Sequence, residues 1–526
     1  WASDRIEKNG IVSFITNGSF IDNQGMDGFR KCLLNEFTSI YIFNLRGNQR
    51  TSGELSRKEG GKIFGSGSRT PVSITCLVKN LKKKNDNFVH YFDIGDYLSR
   101  EQKLNIILDK KNISNINWRK IIPDENNDWI NKRNNKYAKF LPLAPNKKLM
   151  LNSKSFFNNY AIGIVSSRDA WVYNYNKNKL IKKVKGLIDF YNEELEKKKK
   201  DYLYNLDMNP TKISWSAGLK QKIDRRENIL YNEQSIIIGL YRPFVKEYLY
   251  YENNLIERPG KMLDLFIQSN KAIMLSGVGS NKGFSSFMID RIPSLDTIEK
   301  GQCFPLYWYE KSEENTLFGK NTLVKHDGIS DYIKHKLENK YNKIIEKEDI
   351  FYYVYGILYS KDYIENFEAD LKKSLPRIPL VDTLDEFLKF SEAGKKLADL
   401  HLNYEKVKPY NKCNIFAYTD ASYTVTKMKF SKKGDKSSID YNDRITISNI
   451  PLKAYEYIVN GKSAIEWIME RYAITIDKKS DIVNDPNDWC KEANDEKYIF
   501  NLLLRIINVS IQTVDIVNSL PKLDFE

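Results

Sequence analysis

The sequence is poor in the residues that build metal sites and disulfide frameworks. Its 526 residues include 5 cysteines and 4 histidines. The cysteines form no Cys-x-x-Cys pair, and the histidines do not stand at the spacing of metal ligands. This pattern argues against a disulfide framework, a thiolate zinc site and histidine-based metal hydrolysis, and it favours a reducing cytosol. No apolar run approaches the roughly 20 residues that a membrane span requires, so no membrane partner is predicted.

Hydrophobic and charged residues are abundant. Hydrophobic residues make up 41% of the chain and charged residues 29%, which predicts a folded protein of about three domains. Lysine and arginine total 83 against 68 acidic residues, a net charge of +15, and aromatics contribute 13%. This balance suits a polyanionic partner, with nucleic acid first. An AT-rich genome, which enriches Lys, Asn, Ile and Tyr, is an open alternative explanation of the charge.

The first 135 residues are predicted to form part of an α/β sheet. Short apolar runs at residues 11–15, 40–43 and 72–78 predict strands, and residues 26–37 have helical spacing. The run at 11–15 is predicted to be a buried strand, in a sheet covered on both faces. Residues 81–135 are interpreted as a charged connector. Three strands and one helix are half of such a sheet, so a chain that opens on Trp1 looks cut from something longer.

The remaining chain divides near residue 345 into a strand-rich and a helical part, so the predicted class is α/β followed by α+β. The helix predicted at 179–202 ends in four lysines (197–200), which favour a solvated face over a DNA contact. His401 is interpreted as a packing or capping residue. The helices predicted after residue 346 have apolar residues at 3–4 spacing and cover 350–358, 384–402, 463–472 and 498–517.

Two stretches are candidates for contact with a ligand. The Gly-rich loop at residues 60–69 is neither a Walker loop nor a dinucleotide loop, because it lacks the Lys-Ser/Thr ending and precedes a strand. Its backbone could approach a phosphate and Phe64 could stack on a base, or its glycines could be purely structural. The basic and aromatic residues at 241–260 suit a DNA contact or an ordinary sheet with a charged rim. The sequence contains no complete catalytic constellation.

Several segments together resemble type ISP restriction–modification enzymes. Residues 10–20 with Phe29 and Arg30 resemble the segment that follows the Asn-Pro-Pro-Tyr motif in amino-group DNA methyltransferases. Residues 40–47, 59–65 and 68–79 resemble the next part of that domain. The later segments that resemble the family are residues 160–174, 241–244, 349–358, 392–404, 459–467 and 482–489.

The resemblance implies that the chain is the C-terminal portion of such an enzyme. Residues 1–135 would be the C-terminal part of a Rossmann-like N6-adenine methyltransferase domain with its connector. Residues 136–345 and 346–526 would be the strand-rich and helical parts of the target-recognition domain. The family's S-adenosylmethionine, Asn-Pro-Pro-Tyr, ATPase and nuclease motifs are missing, so we expect no methylation, cleavage or ATP hydrolysis by this chain unaided.

The resemblance also implies cofactors, partners and a location. The parent enzyme would use S-adenosylmethionine, with ATP and magnesium in other domains. Its partners would be double-stranded DNA with a short asymmetric site and the upstream domains of the same polypeptide, in the bacterial cytoplasm.

The family's chemistry implies roles for individual side chains. An adenine must leave the base stack and be held between apolar or aromatic faces, and Phe64 is the candidate for one face. Arg50, Lys62 and Arg69 would lie near the DNA backbone beside it. The recognition domain must present basic and polar side chains to base edges and phosphates. The candidates for that task are Arg168, Lys220, Lys222, Arg242, Lys246, Arg258, Lys282 and Arg291.

Two other functions stay open from sequence. The chain could be a non-catalytic specificity subunit that works with separate methyltransferase and motor chains. It could also be a general RNA- or single-strand-binding protein, which predicts little discrimination between sequences.

Overall fold

The computed structural model describes residues 1–65, 67–145, 154–311 and 323–525. The first 135 residues build a five-stranded sheet in the order β1-β3-β2-β4-β5. Strands β2 and β4 are parallel, and β3 lies antiparallel between β1 and β2. The elements of this part are β1 (Asn9–Asn17), α1 (Asp27–Glu36), β2 (Ser39–Arg46), α2 (Gly53–Glu59), β3 (Val72–Asn80), β4 (Val89–Asp93), α3 (Arg100–Lys110) and β5 (Arg119–Ile121).

Two expectations for this sheet were wrong. Strand β1 is an edge strand whose Ile11 and Ile15 are 66% and 60% exposed, whereas an apolar run was expected to be buried on both faces. An apolar run does not reveal whether a neighbour covers it. The segment at 81–135 is more than a connector, because it contributes β4 and β5 to the sheet and also contains α3. Helix α3 begins with a capping box formed by Ser99 and Gln102.

Short antiparallel sheets dominate residues 136–345, as predicted. Strands β8, β10 and β9 form one sheet, β12, β11, β13 and β7 form another, and β14 pairs with β15. The elements of this part are β6 (Leu141–Pro142), β7 (Ala161–Ile162), α4 (Asp169–Val172), β8 (Tyr173–Asn174), α5 (Lys177–Lys200), α6 (Ala217–Asp224), β9 (Ile236–Arg242), β10 (Val245–Tyr250), α7 (Met262–Phe266), β11 (Ala272–Leu275), β12 (Ser286–Ile289), β13 (Gln302–Pro305), β14 (Tyr307–Lys311), β15 (Leu323–Asp327) and α8 (Asp331–Tyr341).

Helices dominate the last part, but it also contains a four-stranded sheet in the order β17-β20-β19-β18. The elements are α9 (Lys347–Ile357), α10 (Lys361–Lys373), β16 (Arg377–Ile378), α11 (Leu384–Leu402), β17 (Asn414–Ala417), β18 (Lys429–Lys432), β19 (Asp435–Asp440), β20 (Ile445–Ser448), β21 (Ile458–Val459), β22 (Lys462–Ser463), α12 (Ala464–Arg471), β23 (Thr475–Ile476), β24 (Val483–Asn484), α13 (Asn487–Glu492) and α14 (Tyr498–Asn518).

The buried residues show how these parts are joined. The first sheet has its own apolar clusters, drawn from residues 2–130. Two larger cores each combine residues from before and after position 345. Helices α9 and α11 meet in one of them, and a Cβ on Gly356 would overlap the carbonyl oxygen of Phe390. The strand-rich and helical parts are therefore folded together.

Helix α14 lies in the larger core. Within the described ranges it is the one helix long and apolar enough to cross a membrane by length and composition. Of its apolar window, 61% is buried inside the protein. Its Leu502, Leu503 and Ile507 side chains are inaccessible to solvent. The apolar spacing at residues 498–517 predicted this helix, although Asn501 and Arg505 interrupt its apolar run.

Candidate nucleic-acid interface

A polar network lies where two parallel strands of the first sheet end. Because β2 and β4 run in the same direction, Asn44 and Asp93 meet at one edge. The Asn44 Nδ2 donates to the Tyr91 hydroxyl at 2.9 Å, and that hydroxyl donates to Asp93 Oδ2 at 3.0 Å. The Arg46 Nε donates to Asp93 Oδ1 at 2.7 Å, and its guanidinium also pairs with Asp96. Five polar side chains are thereby joined at this edge.

The charges in this network shift one another. Burial raises the pKa of Tyr91 well above its usual value, and the charge of Asp93 adds to the effect. Burial acts to lower the pKa of Arg46, but the hydrogen bond and charge of Asp93 outweigh it and raise that pKa. Tyr91 therefore stays neutral and Arg46 stays charged at physiological pH.

A buried lysine fixes the loop that follows β2. The Lys103 ammonium donates to the carbonyl oxygens of Leu45 at 2.9 Å and Glu59 at 2.7 Å. Burial lowers the pKa of Lys103 to about 8. Its two hydrogen bonds close the base of the loop that carries α2, so residues 46–59 are tied to the sheet edge.

A cleft of about 900 Å³ opens beside this edge. We call it the interface cleft. One wall carries Asn44, Arg46, Tyr91, Asp93 and Arg119, and the other is formed by residues 276–281, Gly283, Phe284, Lys300 and α10. The first sheet and the rest of the chain therefore face each other across it.

Glu299 shapes the loop on the second wall. Its carboxylate accepts hydrogen bonds from the Ser280 hydroxyl and the Asn281 amide, both at 2.7 Å. The carbonyl oxygen of Glu299 accepts from the Gly277 amide at 3.0 Å. The loop is held in one conformation with Val278 partly exposed at the cleft.

Buried ion pairs join the cleft walls at their base. Asp128 is 1% exposed and binds Arg30 at 2.9 Å, Arg133 at 2.8 Å and Lys373 of α10 at 2.9 Å. Lys372 on the same helix pairs with Asp22. Burial acts to raise the pKa of Asp128, but hydrogen bonds from Lys373 and Arg133 outweigh it and hold that pKa below its usual value. The helical part is therefore braced against the first sheet.

Helix α2 separates the interface cleft from a second groove. A Cβ on Gly53 would overlap the carbonyl oxygen of Gly461, so α2 rests directly on the chain between β21 and β22. The second groove has a volume of about 590 Å³, and we call it the hairpin groove. It is lined by Ser52, Gly53, Ser56, Arg57, Lys427, Met428, Lys429, Phe430, Lys462, Glu466, Met469 and Glu470.

The residues predicted near the flipped base share one surface loop. Phe64 is 48% exposed and does not line either cavity. The Arg50 side chain is exposed, and Arg69 donates to the carbonyl oxygen of Gln49 at 3.0 Å. Lys62, which is close to these residues in sequence, is half-buried. The loop presents these cations together with an aromatic ring, and their roles remain predictions.

Two predicted DNA-contacting residues lie inside the protein. The Arg168 side chain is 1% exposed, and its guanidinium donates to the carbonyl oxygens of Ser166 and Leu255 and to the Ser216 hydroxyl. Lys246 is 8% exposed and pairs with Glu405 at 2.5 Å. Both side chains are therefore enclosed within the protein in this conformation, and their roles in DNA contact stay predictions.

Two further candidates are largely engaged within the protein. The Arg242 guanidinium lies 4.0 Å from the ring centre of Tyr241 and donates to its carbonyl oxygen at 2.6 Å. Arg291 binds Asp290 through two nitrogens at 2.7 and 3.1 Å. Each of these two side chains therefore already has a polar partner inside the protein.

The other candidates remain accessible. Lys220 and Arg258 are exposed, and neither side chain has a hydrogen bond or ion pair within the part of the chain that the structure describes. Lys222 pairs with Glu227 at 3.0 Å and Asn254 at 2.9 Å. Lys282 lies 6.0 Å from the ring centre of Trp467. Among the predicted DNA-contacting residues of the recognition domain, Lys220 and Arg258 are therefore the two that are exposed and have no side-chain partner in the described part of the chain.

Sequence reasoning missed the cations that line the two cavities. Arg119, Lys300 and Lys372 belong to the interface cleft, and Lys427 and Lys429 to the hairpin groove. The lysine-rich segment at 427–436 was visible in the sequence as a local charge excess. Nothing local distinguished the three isolated residues of the cleft from other surface cations.

The family profile described as the Type ISP C-terminal specificity domain matches residues 155–502. The chain belongs to this family. The Type ISP resemblance noted in the sequence is therefore confirmed, and the mixed α/β fold agrees with it. A search of curated proteins gives no match.

Solved Type ISP structures resemble the chain over its full length. A nuclease-deletion mutant of the Type ISP restriction-modification enzyme LlaGI, in complex with a DNA substrate mimic, is 42% identical, with a TM-score of 0.86 over 100% of this chain and 48% of that one. The ATP-dependent Type ISP restriction-modification enzyme LlaBIII bound to DNA is 38% identical, with a TM-score of 0.85 over 100% of this chain and 34% of that one.

A third structure is more distant. The DrdV–DNA complex is 29% identical, with a TM-score of 0.81 over 99% of this chain and 51% of that one. This Type ISP chain thus spans about half the length of LlaGI and of the chain in the DrdV complex, and about a third of the length of LlaBIII.

Proposed function

We propose that this chain recognises a short asymmetric sequence in double-stranded DNA for a Type ISP restriction–modification enzyme. The family match over residues 155–502 is the observation that carries the proposal. The DNA-bound state of LlaGI and LlaBIII supports it, as do the exposed cations Lys220 and Arg258. By this proposal the recognition step would direct methylation, translocation and cleavage by the parent enzyme in the bacterial cytoplasm.

We further propose that residues 1–135 belong to a Rossmann-like amino-methyltransferase domain, with residues 136–345 and 346–526 forming the recognition region. The strand order supports this assignment, because β1 and β2 are parallel to each other with antiparallel β3 between them. Separate apolar clusters in residues 2–130 support the first boundary. In this arrangement the chain would position a target adenine for N6 methylation, with Phe64 on one face of the base.

The residues of this chain that the structure describes do not form a complete site for the parent enzyme's cofactors. The Gly-rich segment at 60–67 leads into β3 and not into a helix, which does not fit a dinucleotide-type loop for S-adenosylmethionine. Within the described ranges, no cluster of three or more His, Cys, Asp or Glu side chains could hold a metal ion. We therefore propose that S-adenosylmethionine, ATP and magnesium bind mainly through other domains of the parent polypeptide.

The proposal can be tested by selecting binding sites from a randomised duplex library with the 526-residue chain at two salt concentrations. Enrichment of one asymmetric site is the expected result. Lys220→Ala/Arg258→Ala should weaken binding to that site, because both side chains are exposed and unpaired cations. Lys336→Ala/Lys343→Ala, which removes two exposed cations away from both cavities, should bind like the wild type. Salt-sensitive binding without enrichment of any site would contradict the proposal.

A further inference from the structure

The β18–β19 hairpin concentrates positive charge at one edge of the C-terminal sheet. Lys427, Lys429, Lys432 and Lys433 are all exposed, and Lys429 is 73% exposed. The turn passes through Gly434, whose φ is +86°, a backbone conformation that glycine adopts without strain. Strand β18 is an outer strand of its sheet, so these side chains have solvent on their outer side.

Most of this charge is not neutralised within the protein. The Lys427, Lys432 and Lys433 side chains have no ion pair or hydrogen bond among the residues that the structure describes. Lys429 lies 3.8 Å from Asp440, a solvent-exposed contact of little energetic value. Lys436 differs from the others, because it pairs with Glu466 at 3.2 Å. The hairpin segment therefore carries two cations without an acidic neighbour, Lys427 and Lys433, and two that face a carboxylate, Lys429 beside Asp440 and Lys432 opposite Asp435.

Two of these lysines form part of the rim of the hairpin groove. Lys427 and Lys429 lie on one side, and Arg57 of α2 lies on the other. Met428 and Met469 form an apolar floor and are buried to 3% and 8% exposure. The groove's two carboxylates are engaged, Glu466 by Lys436 and Glu470 by Lys462 and Arg471. An apolar floor with a basic rim suits a sugar–phosphate chain, because the C–H groups of the deoxyribose can contact the floor and the phosphates are anionic.

The groove also adjoins the proposed DNA interface. Helix α2 borders both cavities, with Thr51, Leu55 and Glu59 towards the interface cleft and Ser52, Ser56 and Arg57 towards the groove. A DNA duplex bound at the interface cleft would therefore reach the hairpin groove by passing over α2. An acidic peptide that bound only the hairpin groove would not need this groove to lie beside the interface cleft.

We propose that the β18–β19 hairpin and its groove bind the sugar–phosphate backbone of the duplex that the chain recognises, through Lys427, Lys429, Lys432 and Lys433. This inference rests on the proposed function and extends it to the C-terminal part of the chain. Phosphate contacts position a protein on DNA without reading its sequence. The hairpin contributes affinity and salt dependence, while base discrimination lies elsewhere.

The test measures the affinity of the 526-residue chain for its selected duplex across a series of salt concentrations. For Lys427→Ala/Lys429→Ala we expect weaker binding and a salt slope smaller in magnitude by about 2, since each phosphate contact contributes roughly 0.9. The preference for the selected site over a scrambled duplex should be unchanged. Lys427→Arg/Lys429→Arg should restore the wild-type slope, because the positive charges are retained.

Lys336→Ala/Lys343→Ala is the matched control for net charge, and its slope should equal that of the wild type. A slope for Lys427→Ala/Lys429→Ala that equals the wild-type slope, with normal wild-type binding, would overturn this inference and leave the proposed function intact. A change in site preference in that variant would overturn the division of roles. Failure of the wild type to prefer any duplex would overturn the proposed function and this inference together.

Discussion

At the scale of single residues, buried ionisable groups have structural roles that their residue type does not reveal. His401 is 1% exposed; its Nδ1 lies 2.7 Å from the Tyr355 hydroxyl, and its Nε2 lies 3.1 Å from the Thr513 hydroxyl. The sequence-based interpretation of His401 as a packing residue agrees with this position. Arg168 shows the opposite outcome, because a residue type typical of DNA contacts is enclosed by carbonyl groups.

His401 gives a prediction for the dependence of stability on pH. Burial lowers the pKa of His401 to about 3, whereas an unfolded histidine titrates near 6.5. Below about pH 6.5 the unfolded chain gains a proton that the folded chain excludes. The unfolding free energy should therefore fall by up to about 1.4 kcal/mol per pH unit as the pH drops from 6.5 towards 3.

Urea denaturation at pH 7 and pH 5 would measure this effect. His401→Gln should reduce the difference in unfolding free energy between the two pH values, although the variant is less stable overall. His335→Gln is the control, because His335 is exposed and its replacement should leave the difference unchanged. An equal pH dependence in His401→Gln and the wild type would contradict the assignment.

At the scale of secondary-structure elements, close helix packing depends on glycine where two backbones touch. A Cβ on Gly394 of α11 would overlap the carbonyl oxygen of Tyr352 in α9, as the Cβ on Gly356 would overlap that of Phe390. Since both obstacles are backbone atoms, a rotamer change cannot relieve them. The crossing of α9 and α11 is therefore set by these two positions.

We expect Gly356→Ala to destabilise the protein by roughly 1–3 kcal/mol, because the added methyl group forces the two helices apart. Gly186→Ala is a matched control in the interior of α5, where a Cβ would meet no atom within 4 Å. That replacement should stabilise by about 0.5–1 kcal/mol through the higher helix propensity of alanine. Chemical denaturation compares the variants, and similar stability changes of the same sign would refute this packing argument.

At the scale of the whole molecule, the first sheet and the recognition region are held together by the ion pairs of Asp128. Three cations converge on this carboxylate, and Arg30 and Lys373 are 0% and 3% exposed. Buried charges are costly unless they are paired. The relative position of the two walls of the interface cleft therefore depends in part on this one buried side chain.

Asp128→Asn should lower the unfolding free energy by about 3–5 kcal/mol, since it leaves buried cations without their carboxylate. Asp385→Asn is the control, because Asp385 and its partner Lys389 are 72% and 60% exposed, and it should have little effect. Denaturation monitored by fluorescence measures both. A loss in Asp128→Asn no larger than in Asp385→Asn would show that the buried network does not stabilise the interface.

Some features of this protein follow from local sequence patterns, and others depend on contacts between residues that are distant in sequence. Local sequence patterns predicted α5, α11 and α14 closely, because such elements depend on neighbours in sequence. The family resemblance likewise rested on local strings and was confirmed. The sequence by itself determined the elements and the family.

Only the tertiary structure decided which cations are free and how the sheets are assembled. Arg168 and Lys246 look like Lys220 and Arg258 in sequence, but carbonyl and carboxylate groups distant along the chain enclose the first two. The exposure of β1, the inclusion of β4 and β5 in the first sheet and the convergence of α2 with the β18–β19 hairpin also depend on distant residues. Burial and ion pairing are set by neighbours in space, and a local sequence pattern does not contain them.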